Sequence, residues 1–272
     1  MATFQADGLT YHYTQSGRGP ALLLLHGFTG SAQSWAPLMA TLAGEYRLLA
    51  LDLPGHGRSD APADPTRYAM PAVARDIEAL LDHLQLDAAH LLGYSMGGRL
   101  ALYLALHQAV RWRTLILESA SPGLATAEER AERVARDEAL AEFIERRGIE
   151  AFVRRWEALP LFASQKRLPQ ARRQAHRAIR LDNRPQGLAG SLRGMGTGVQ
   201  PSLWERLPEL ACLVLLVAGA LDHKFVGIGQ QMAERIPQAR LEIVPGAGHT
   251  VHLEQPQRYA HLVREWLAKT AG

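Results

Sequence analysis

The pentapeptide at residues 93–97 places a serine, Ser95, between two glycines, with Tyr94 and Met96 on either side of it. An apolar run precedes the motif and a helix-forming stretch follows it. At such a strand-to-helix turn a serine can hold a strained backbone with its hydroxyl exposed above the sheet, and the glycines remove Cβ atoms that would clash. The pattern therefore predicts a nucleophilic serine. A purely structural serine in a glycine-rich turn is the alternative.

His249 is the candidate base for this serine. A serine hydroxyl is weakly reactive at neutral pH and needs a neighbouring base that is itself oriented by an acid. His249 follows the last apolar run, in a loop of small residues. Among its rivals, His26 and His56 precede Ser95, whereas the expected order along the chain is serine, acid, histidine. A third rival, His252, lies about one helical turn too late.

Two carboxylates could orient the histidine. Asp222 lies just past the apolar run 213–218 and 27 residues before His249. Glu118 ends the apolar run 114–118, and some enzymes with a nucleophilic serine at a strand-to-helix turn place the acid at that position. The arrangement of a strand, a glycine and an aspartate three residues later favours Asp222. Ser95, Asp222 and His249 are thus the predicted catalytic triad.

Negative charge that develops on a substrate oxygen needs preorganised hydrogen-bond donors. One predicted donor is the backbone N–H of Met96, which follows the serine at the start of a helix. The other is the backbone N–H of Phe28, in the loop after the apolar run 21–25. Gly27 allows the backbone to approach a ligand closely, and we expect His26 to be structural.

Composition argues against nucleic-acid binding, cysteine-based metal sites, secretion and membrane insertion. The formal net charge of +3 over 272 residues comes without a block of Lys and Arg, which disfavours a nucleic-acid surface. The single cysteine, Cys212, excludes an intramolecular disulfide and a metal site built on cysteines. The N-terminus lacks the basic start and apolar core of a signal peptide, and no apolar stretch reaches the roughly 18 residues of a membrane span. We expect a cytoplasmic protein without a membrane partner, as a monomer or a small homo-oligomer.

The elements that position these residues follow an α/β pattern, in which short apolar runs alternate with longer amphipathic stretches. Such a pattern predicts a mostly parallel sheet flanked by helices. The predicted strands are 21–25, 47–52, 90–92, 114–118, 213–218 and 240–244, and the predicted helices are 32–42, 71–84, 97–106, 227–235 and 257–268. Residues 4–9 and 10–15 are interpreted as an antiparallel hairpin at one edge of the sheet.

Residues 122–207 interrupt this alternation. The segment contains no convincing buried strand, and 127–147, 149–157 and 169–181 are predicted to be helical. It carries 15 Arg and one Lys against 11 acids, a net charge of +5. We interpret it as a helical cap over a core formed by 1–121 and 208–272. A plain helical excursion with solvated charges is the alternative.

These motifs together resemble the α/β-hydrolase superfamily. The resemblance lies in His-Gly-Phe at 26–28, Asp-Leu-Pro-Gly-His-Gly at 52–57, the serine motif through Arg99, and Gly-Ala-Gly-His at 246–249. Within the superfamily, the cap is similar to the 2-succinyl-6-hydroxy-2,4-cyclohexadiene-1-carboxylate synthases of menaquinone biosynthesis. The runs that carry this similarity are 121–124, 129–133, 161–164, 180–183 and, above all, 191–204.

The resemblance implies a lyase that eliminates pyruvate from a cyclohexene carrying several carboxylates. In that reaction Ser95 acts as a base rather than as an acyl nucleophile, and neither a metal nor an organic cofactor is needed. The resemblance further implies a carboxylate-binding role for the arginines, with Arg177 as an alternative to Arg180, and a pocket-lining role for the aromatic residues. The implied substrate-binding residues are Tyr94, Arg99, Arg133, Trp156 and Arg180. Arginine suits a small carboxylate substrate because its planar guanidinium binds carboxylates in a two-pronged way.

Other functions fit parts of the pattern. A carboxylesterase or a carbon–carbon bond hydrolase would use the same triad through an acyl-enzyme, and a non-enzymatic ligand receptor could keep it intact. Dehalogenases and epoxide hydrolases are disfavoured because both need an aspartate where Ser95 stands.

Overall fold

The computed structural model describes residues 2–269, in which eight strands form one sheet. The strands are β1 (Ala2–Ala6), β2 (Leu9–Ser16), β3 (Ala21–Leu25), β4 (Arg47–Leu51), β5 (Ala89–Tyr94), β6 (Trp112–Glu118), β7 (Leu213–Gly219) and β8 (Ala239–Val244). Their order in the sheet is β1-β2-β4-β3-β5-β6-β7-β8. Strands β3 to β8 are parallel to one another, whereas β1 and β2 pair antiparallel at one edge.

The central strands are apolar on both faces because helices cover both. In β3, Leu23 and Leu25 belong to the core on one face and Leu22 and Leu24 to the core on the other. All four side chains are fully buried. Continuous apolar runs of this kind are typical of parallel strands in α/β folds, so the predicted α/β class, a mostly parallel sheet flanked by helices, is confirmed.

Nine α-helices accompany the sheet within residues 2–269. They are α1 (Ala36–Leu42), α2 (Met70–His83), α3 (Met96–His107), α4 (Ala127–Glu157), α5 (Gln170–Leu181), α6 (Pro185–Met195), α7 (His223–Ala233), α8 (Val251–Glu254) and α9 (Pro256–Ala268). Helices α1 and α9 cover one face of the sheet, and α2, α3 and α7 cover the other. Within the described part of the chain, no helix is both long and apolar enough to cross a membrane.

Helices α4, α5 and α6 lie between β6 and β7, in the segment that the sequence interprets as a cap. Residues of α4 and α6 share a small apolar core of their own, which includes Ile144, Phe152 and Leu188. The two helices predicted at 127–147 and 149–157 run as one element with a break at Gly148, whose φ of 74° is not helical. Helix α6 was not predicted.

The hairpin at the sheet edge exists, but the predicted position of its turn is wrong. The turn lies at Asp7 and Gly8, between β1 and β2, rather than after Leu9. Both turn residues have positive φ, 43° and 78°, as a two-residue type I′ hairpin requires. Asp-Gly is a favoured pair for that turn, so the local signal was present in the sequence.

Candidate active site

Ser95 occupies the sharp turn between β5 and α3. Its φ of 51° and ψ of −107° lie in a region that a non-glycine residue rarely adopts, and its N–H donates to the Glu118 carbonyl at 2.8 Å. A Cβ atom on Gly93 would collide with the backbone of Gly97, and one on Gly97 would collide with the carbonyl of Leu25. The two glycines are therefore required by the turn that exposes the serine, as the motif predicts.

The side chains of Ser95, His249 and Asp222 form a hydrogen-bonded chain. His249 Nε2 lies 3.2 Å from Ser95 Oγ, and His249 Nδ1 lies 2.6 Å from Asp222 Oδ2. The three residues follow the carboxyl ends of β5, β7 and β8, which lie at the same edge of the parallel sheet. His249 and Asp222 are 3% and 8% exposed, so their contact is shielded from water. The arrangement fits a serine with a histidine base and an orienting acid.

The rival acid, Glu118, has a different histidine as its partner. Its carboxylate is fully buried and accepts from His252 Nδ1 at 2.8 Å and from the His252 backbone N–H at 3.1 Å. Each of the two carboxylates therefore holds its own histidine, and only the one bound to Asp222 reaches Ser95.

The other two rival histidines have structural contacts. His26 Nε2 accepts from the Leu53 N–H at 3.0 Å, and His56 Nδ1 lies 3.0 Å from the Pro54 carbonyl. Burial lowers the pKa of His26 to about 4 and that of His56 to about 3, so both rings are neutral at neutral pH. His26 is thus structural, as expected.

The two predicted backbone donors belong to residues that line one cavity with Ser95. Met96 is the first residue of α3, and the first N–H groups of a helix have no acceptor within that helix. Phe28 lies in a turn closed by the Gly30 N–H on the Gly27 carbonyl at 2.9 Å. A Cβ atom on Gly27 would come within 2.6 Å of the Tyr94 ring, so glycine allows this loop to approach the serine.

A cavity of about 250 Å³ opens above Ser95, between the sheet edge and the helices of residues 122–207. It brings together most of the residues that the sequence selected as catalytic or substrate-binding. These residues are Phe28, Tyr94, Ser95, Met96, Arg99, Arg133, Trp156 and His249. Among residues 2–269, no group of three or more His, Cys, Asp or Glu side chains is placed to hold a metal ion.

Arg99 is a buried cation in this cavity whose hydrogen-bond acceptors are neutral. It is 9% exposed and donates to Gln200 Oε1 at 2.8 Å and to the Met195 carbonyl at 2.9 Å. Burial, and then the positive charge of Arg133, lower the pKa of Arg99 to about 9. The side chain is still protonated at neutral pH, so the cavity contains a desolvated positive charge.

Arg133 and Trp156 complete the wall that the cap segment contributes. Arg133 Nε donates to Asp137 Oδ1 at 2.8 Å, and its side chain stays 39% exposed. The Trp156 ring packs edge-on against Phe28 with centroids 5.3 Å apart.

Arg180 lies outside the cavity of Ser95, contrary to its grouping with Arg99 and Arg133. It lines a neighbouring cavity of about 390 Å³ that also contains Arg177, and both arginines bond to Glu157. Arg180 is 3% exposed and its guanidinium lies 4.9 Å from the centre of the Phe162 ring. Phe162 lines both cavities, and a small third cavity is lined by Arg180 together with Phe28, Tyr94 and Phe162.

Two contributors to the site escaped the sequence interpretation. Gln200, only 2% exposed, orients Arg99, and Phe225 packs its ring 4.7 Å from that of His249. Gln200 belongs to the unusual run 191–204, so its position was marked but its contact was not. Phe225 follows Asp222 by one helical turn, a spacing that would have placed it near the triad.

Comparisons with known proteins place this fold in a known family. Residues 20–256 match the sequence profile of the alpha/beta hydrolase fold family. A protein of Bacillus subtilis strain 168, named as a putative 2-succinyl-6-hydroxy-2,4-cyclohexadiene-1-carboxylate synthase, is 48% identical over 264 residues, 96% of each chain. The synthase of the same name from Serratia proteamaculans strain 568 is 36% identical, over 91% of this chain and 93% of that one. The solved structure of MenH from S. aureus superposes with a TM-score of 0.92 at 34% identity, covering 96% of this chain and 99% of the other.

Proposed function

The chain belongs to the α/β-hydrolase family and, within it, to the 2-succinyl-6-hydroxy-2,4-cyclohexadiene-1-carboxylate synthases, and from this premise we propose that it is a lyase of menaquinone biosynthesis. The proposed reaction eliminates pyruvate from a cyclohexene that carries several carboxylates. It uses the triad of Ser95, His249 and Asp222 and takes place in the cytoplasm.

The desolvated guanidinium of Arg99 is the observation that carries this proposal. A buried charge is unfavourable unless an opposite charge pairs with it. Arg99 points into the cavity of Ser95, and the groups that accept its hydrogen bonds are an amide oxygen and a backbone carbonyl. Asp137 lines the same cavity and its charge favours protonated Arg99, but it does not accept a hydrogen bond from it. A substrate carboxylate would supply a directly bonded negative charge about one helical turn from the serine.

The triad would move a proton rather than transfer an acyl group. His249 accepts the hydroxyl proton of Ser95 while the seryl oxygen removes a proton from the substrate ring. Asp222 stabilises the imidazolium that forms, through the 2.6 Å contact with Nδ1. The Phe28 and Met96 amides hold the developing negative charge. The electron pair of the broken C–H bond then expels the pyruvate unit. As it leaves, this unit takes the proton that His249 had accepted from Ser95.

The residues of the cap segment would bind the remaining carboxylates and exclude water. Arg133 borders the cavity and forms an ion pair with Asp137. The walls of the cavity include Trp156 from the cap and Tyr94 from the core. Arg180 would bind a carboxylate that extends past Phe162, whose ring borders both cavities. The separate apolar core of α4 and α6 supports the division into a cap, 122–207, and a hydrolase core, 1–121 and 208–272.

An esterase or carbon–carbon bond hydrolase acting through an acyl-enzyme is the second candidate. The strained turn at Ser95 and its 3.2 Å separation from His249 Nε2 suit a nucleophile as well as a base. The substrate therefore has to distinguish the two reactions.

Pyruvate release and ester hydrolysis, measured on the same variants, distinguish them. Arg99→Ala should lower kcat/KM for the pathway substrate by roughly 10- to 150-fold, because charge-assisted hydrogen bonds contribute about 1.5–3 kcal/mol. Hydrolysis of a neutral p-nitrophenyl ester should change little. Arg99→Lys should restore only part of the loss, since an ammonium lacks the two-pronged geometry.

The matched control is Arg136→Ala, which removes a cap arginine whose side chain is 76% exposed and should leave both activities unchanged. Equal loss on both substrates in Arg99→Ala would make that arginine structural. A wild-type enzyme that cleaves the ester but releases no pyruvate would refute the lyase and leave the esterase.

A further inference from the structure

We propose that Asn183, a cap residue, is a positioning residue that holds the loop of the Phe28 donor in its working conformation. We call residues 26–30 the oxyanion loop. The inference rests on the proposed role of the Phe28 amide and is independent of which substrate the enzyme uses.

The Asn183 carboxamide connects the cap to two loops of the hydrolase core. The residue follows α5 and is 3% exposed. Its Nδ2 donates to the Thr29 carbonyl at 2.9 Å, and its Oδ1 accepts from the Gly57 N–H at 3.2 Å. Nδ2 also donates to the carbonyls of Ile179 and Arg180, at 3.0 and 3.3 Å. With carbonyl oxygens around one end and an N–H at the other, only one orientation of the carboxamide satisfies every group.

The oxyanion loop needs support from outside because its own conformation is unfavourable. Thr29 is the third residue of the turn that Gly30 closes on Gly27, and its φ is +70°. Glycine or asparagine is preferred at a turn position with positive φ, and a β-branched residue there is an outlier. Such a residue persists only when its surroundings determine its conformation. Asn183 fixes the conformation of Thr29, since its Nδ2 donates a hydrogen bond to the Thr29 carbonyl and Thr29 is itself buried.

The second contact ties Asn183 to a rigid part of the core. Gly57 lies in the loop after β4, where Asp52 accepts from the backbone N–H groups of Ala32 and Arg58 at 2.6 and 3.0 Å. The cap approaches this same loop closely, because a Cβ atom on Gly187 would collide with the backbone of Gly55. Asn183 is therefore fixed relative to the core, and the Thr29 carbonyl is fixed through it.

Phe28 precedes Thr29 directly, so freeing Thr29 would move the Phe28 amide. A donor stabilises an oxyanion only within about 2.7–3.1 Å of the oxygen, and complete loss of one donor lowers kcat about 10²–10³-fold. Misplacing a donor without deleting it should therefore lower kcat by about 10- to 100-fold, with KM nearly unchanged.

Two substitutions separate the two contacts of Asn183. Asn183→Ala removes both hydrogen bonds. Asn183→Asp keeps an acceptor for the Gly57 N–H, but it removes the donor to Thr29 and places a negative charge beside that carbonyl. If the Thr29 contact positions the donor, Asp should lower kcat for p-nitrophenyl ester hydrolysis at least as much as Ala. An Asn183→Asp enzyme with wild-type kcat would overturn the proposal. The control is Asp182→Ala, which changes the exposed neighbouring residue.

Binding of phenylboronic acid gives a readout that a loss of stability alone would not move. The Ser95 Oγ adds to boron, and its hydroxyl proton passes to His249. The resulting tetrahedral boronate is an anion with its formal charge on boron, and it places one of its hydroxyl oxygens at the donors. In folded Asn183→Asp the affinity for the boronic acid should fall by the same factor as kcat. Unchanged affinity would mean that the carboxamide does not act through the donors.

The wild-type protein provides a test that does not depend on folding of the variants. Asn183 is the only asparagine in the 272 residues, so selective ¹⁵N-asparagine labelling gives a single side-chain amide pair in the NMR spectrum. Saturation with phenylboronic acid should change the chemical shifts of that amide pair. The boronate oxygen contacts the Phe28 N–H, and the Asn183 Nδ2 donates to the carbonyl of the next residue in the same loop. An unshifted pair would refute the coupling.

Ester hydrolysis and boronate binding remain measurable if no pyruvate is released, so failure of the lyase proposal would not be mistaken for failure of this one.

Discussion

Replacing Asp222 by asparagine removes a charge while leaving a side chain of nearly the same shape. The negative charge of Asp222 Oδ2 lies 2.6 Å from His249 Nδ1, in a pair that is almost fully buried. The imidazolium forms only when His249 has taken the serine proton, so this charge acts on the transition state more than on the resting enzyme.

The size of the effect follows from the geometry. Two unit charges about 4 Å apart interact by about 4 kcal/mol at an effective dielectric constant of about 20. At about 1.36 kcal/mol per factor of ten, losing that interaction lowers kcat about 10³-fold. An asparagine amide that donates to Nδ1 would also favour the wrong tautomer of His249, and in serine proteases the same exchange lowers kcat about 10⁴-fold. We expect a decrease of about 10³- to 10⁴-fold for Asp222→Asn.

Glu118→Gln is the matched change at the second carboxylate. Glu118 contacts His252 and not His249, so kcat should stay within about tenfold of wild type because no reacting group loses its partner. The free energy of unfolding should instead fall by about 1–3 kcal/mol, since a buried hydrogen-bonded charge is replaced by an amide. The assays are kcat for pyruvate release and for ester hydrolysis, together with denaturant unfolding of both variants. A crippled Glu118→Gln beside a nearly normal Asp222→Asn would refute the assignment of the acid.

The hydrogen-bonded arrangement of Ser95, His249 and Asp222 could be predicted from the sequence because each residue lies close to the end of a strand. Ser95, Asp222 and His249 come one, three and five residues after the ends of their strands, and parallel strands bring their carboxyl ends to one edge. Local sequence thus determined long-range geometry. The same reasoning favoured Asp222 because it comes three residues after a glycine at the end of a strand, and it left Glu118, the last residue of the neighbouring strand, as the alternative. The structure separates the two carboxylates, since Asp222 contacts His249 and Glu118 contacts His252.

The cap was harder to predict because tertiary contacts determine its structure. Helix α6 contains Gly187, Gly190 and Gly194, and glycine is a poor helix former, so its sequence resembles a loop. The glycines are required by close packing, since a Cβ atom on Gly190 would come within 2.6 Å of the Tyr68 ring. The position of Arg180 was equally hidden. It depends on which face of α5 packs inward, and α5 carries too many arginines for its charge pattern to reveal that.

Two further measurements test the remaining conclusions. Ser95→Ala should abolish most turnover while the protein stays folded. Adding His249→Ala should lower kcat scarcely further, because members of a triad act as a unit. Additive losses, or a Ser95→Ala rate within about tenfold of wild type, would contradict the triad. The second measurement is stability against pH. Burial lowers the pKa of His26 from 6.5 to about 4 and that of His90 to about 4, so below pH 6.5 the unfolded chain binds protons that the folded chain does not. Stability should therefore fall as pH falls from about 6.5 towards 4. For fully buried His26 alone the decrease between pH 6.5 and 5 is about 1.6 kcal/mol, because the unfolded histidine is half protonated at pH 6.5 and the slope approaches about 1.36 kcal/mol per pH unit only below that. Denaturant unfolding at pH 7, 6 and 5 measures the decrease. His261→Gln, which removes a histidine with 65% of its side chain exposed, should leave the slope unchanged. A free energy of unfolding that stays constant over this range would mean that the buried histidines accept protons in the folded protein as readily as in the unfolded chain.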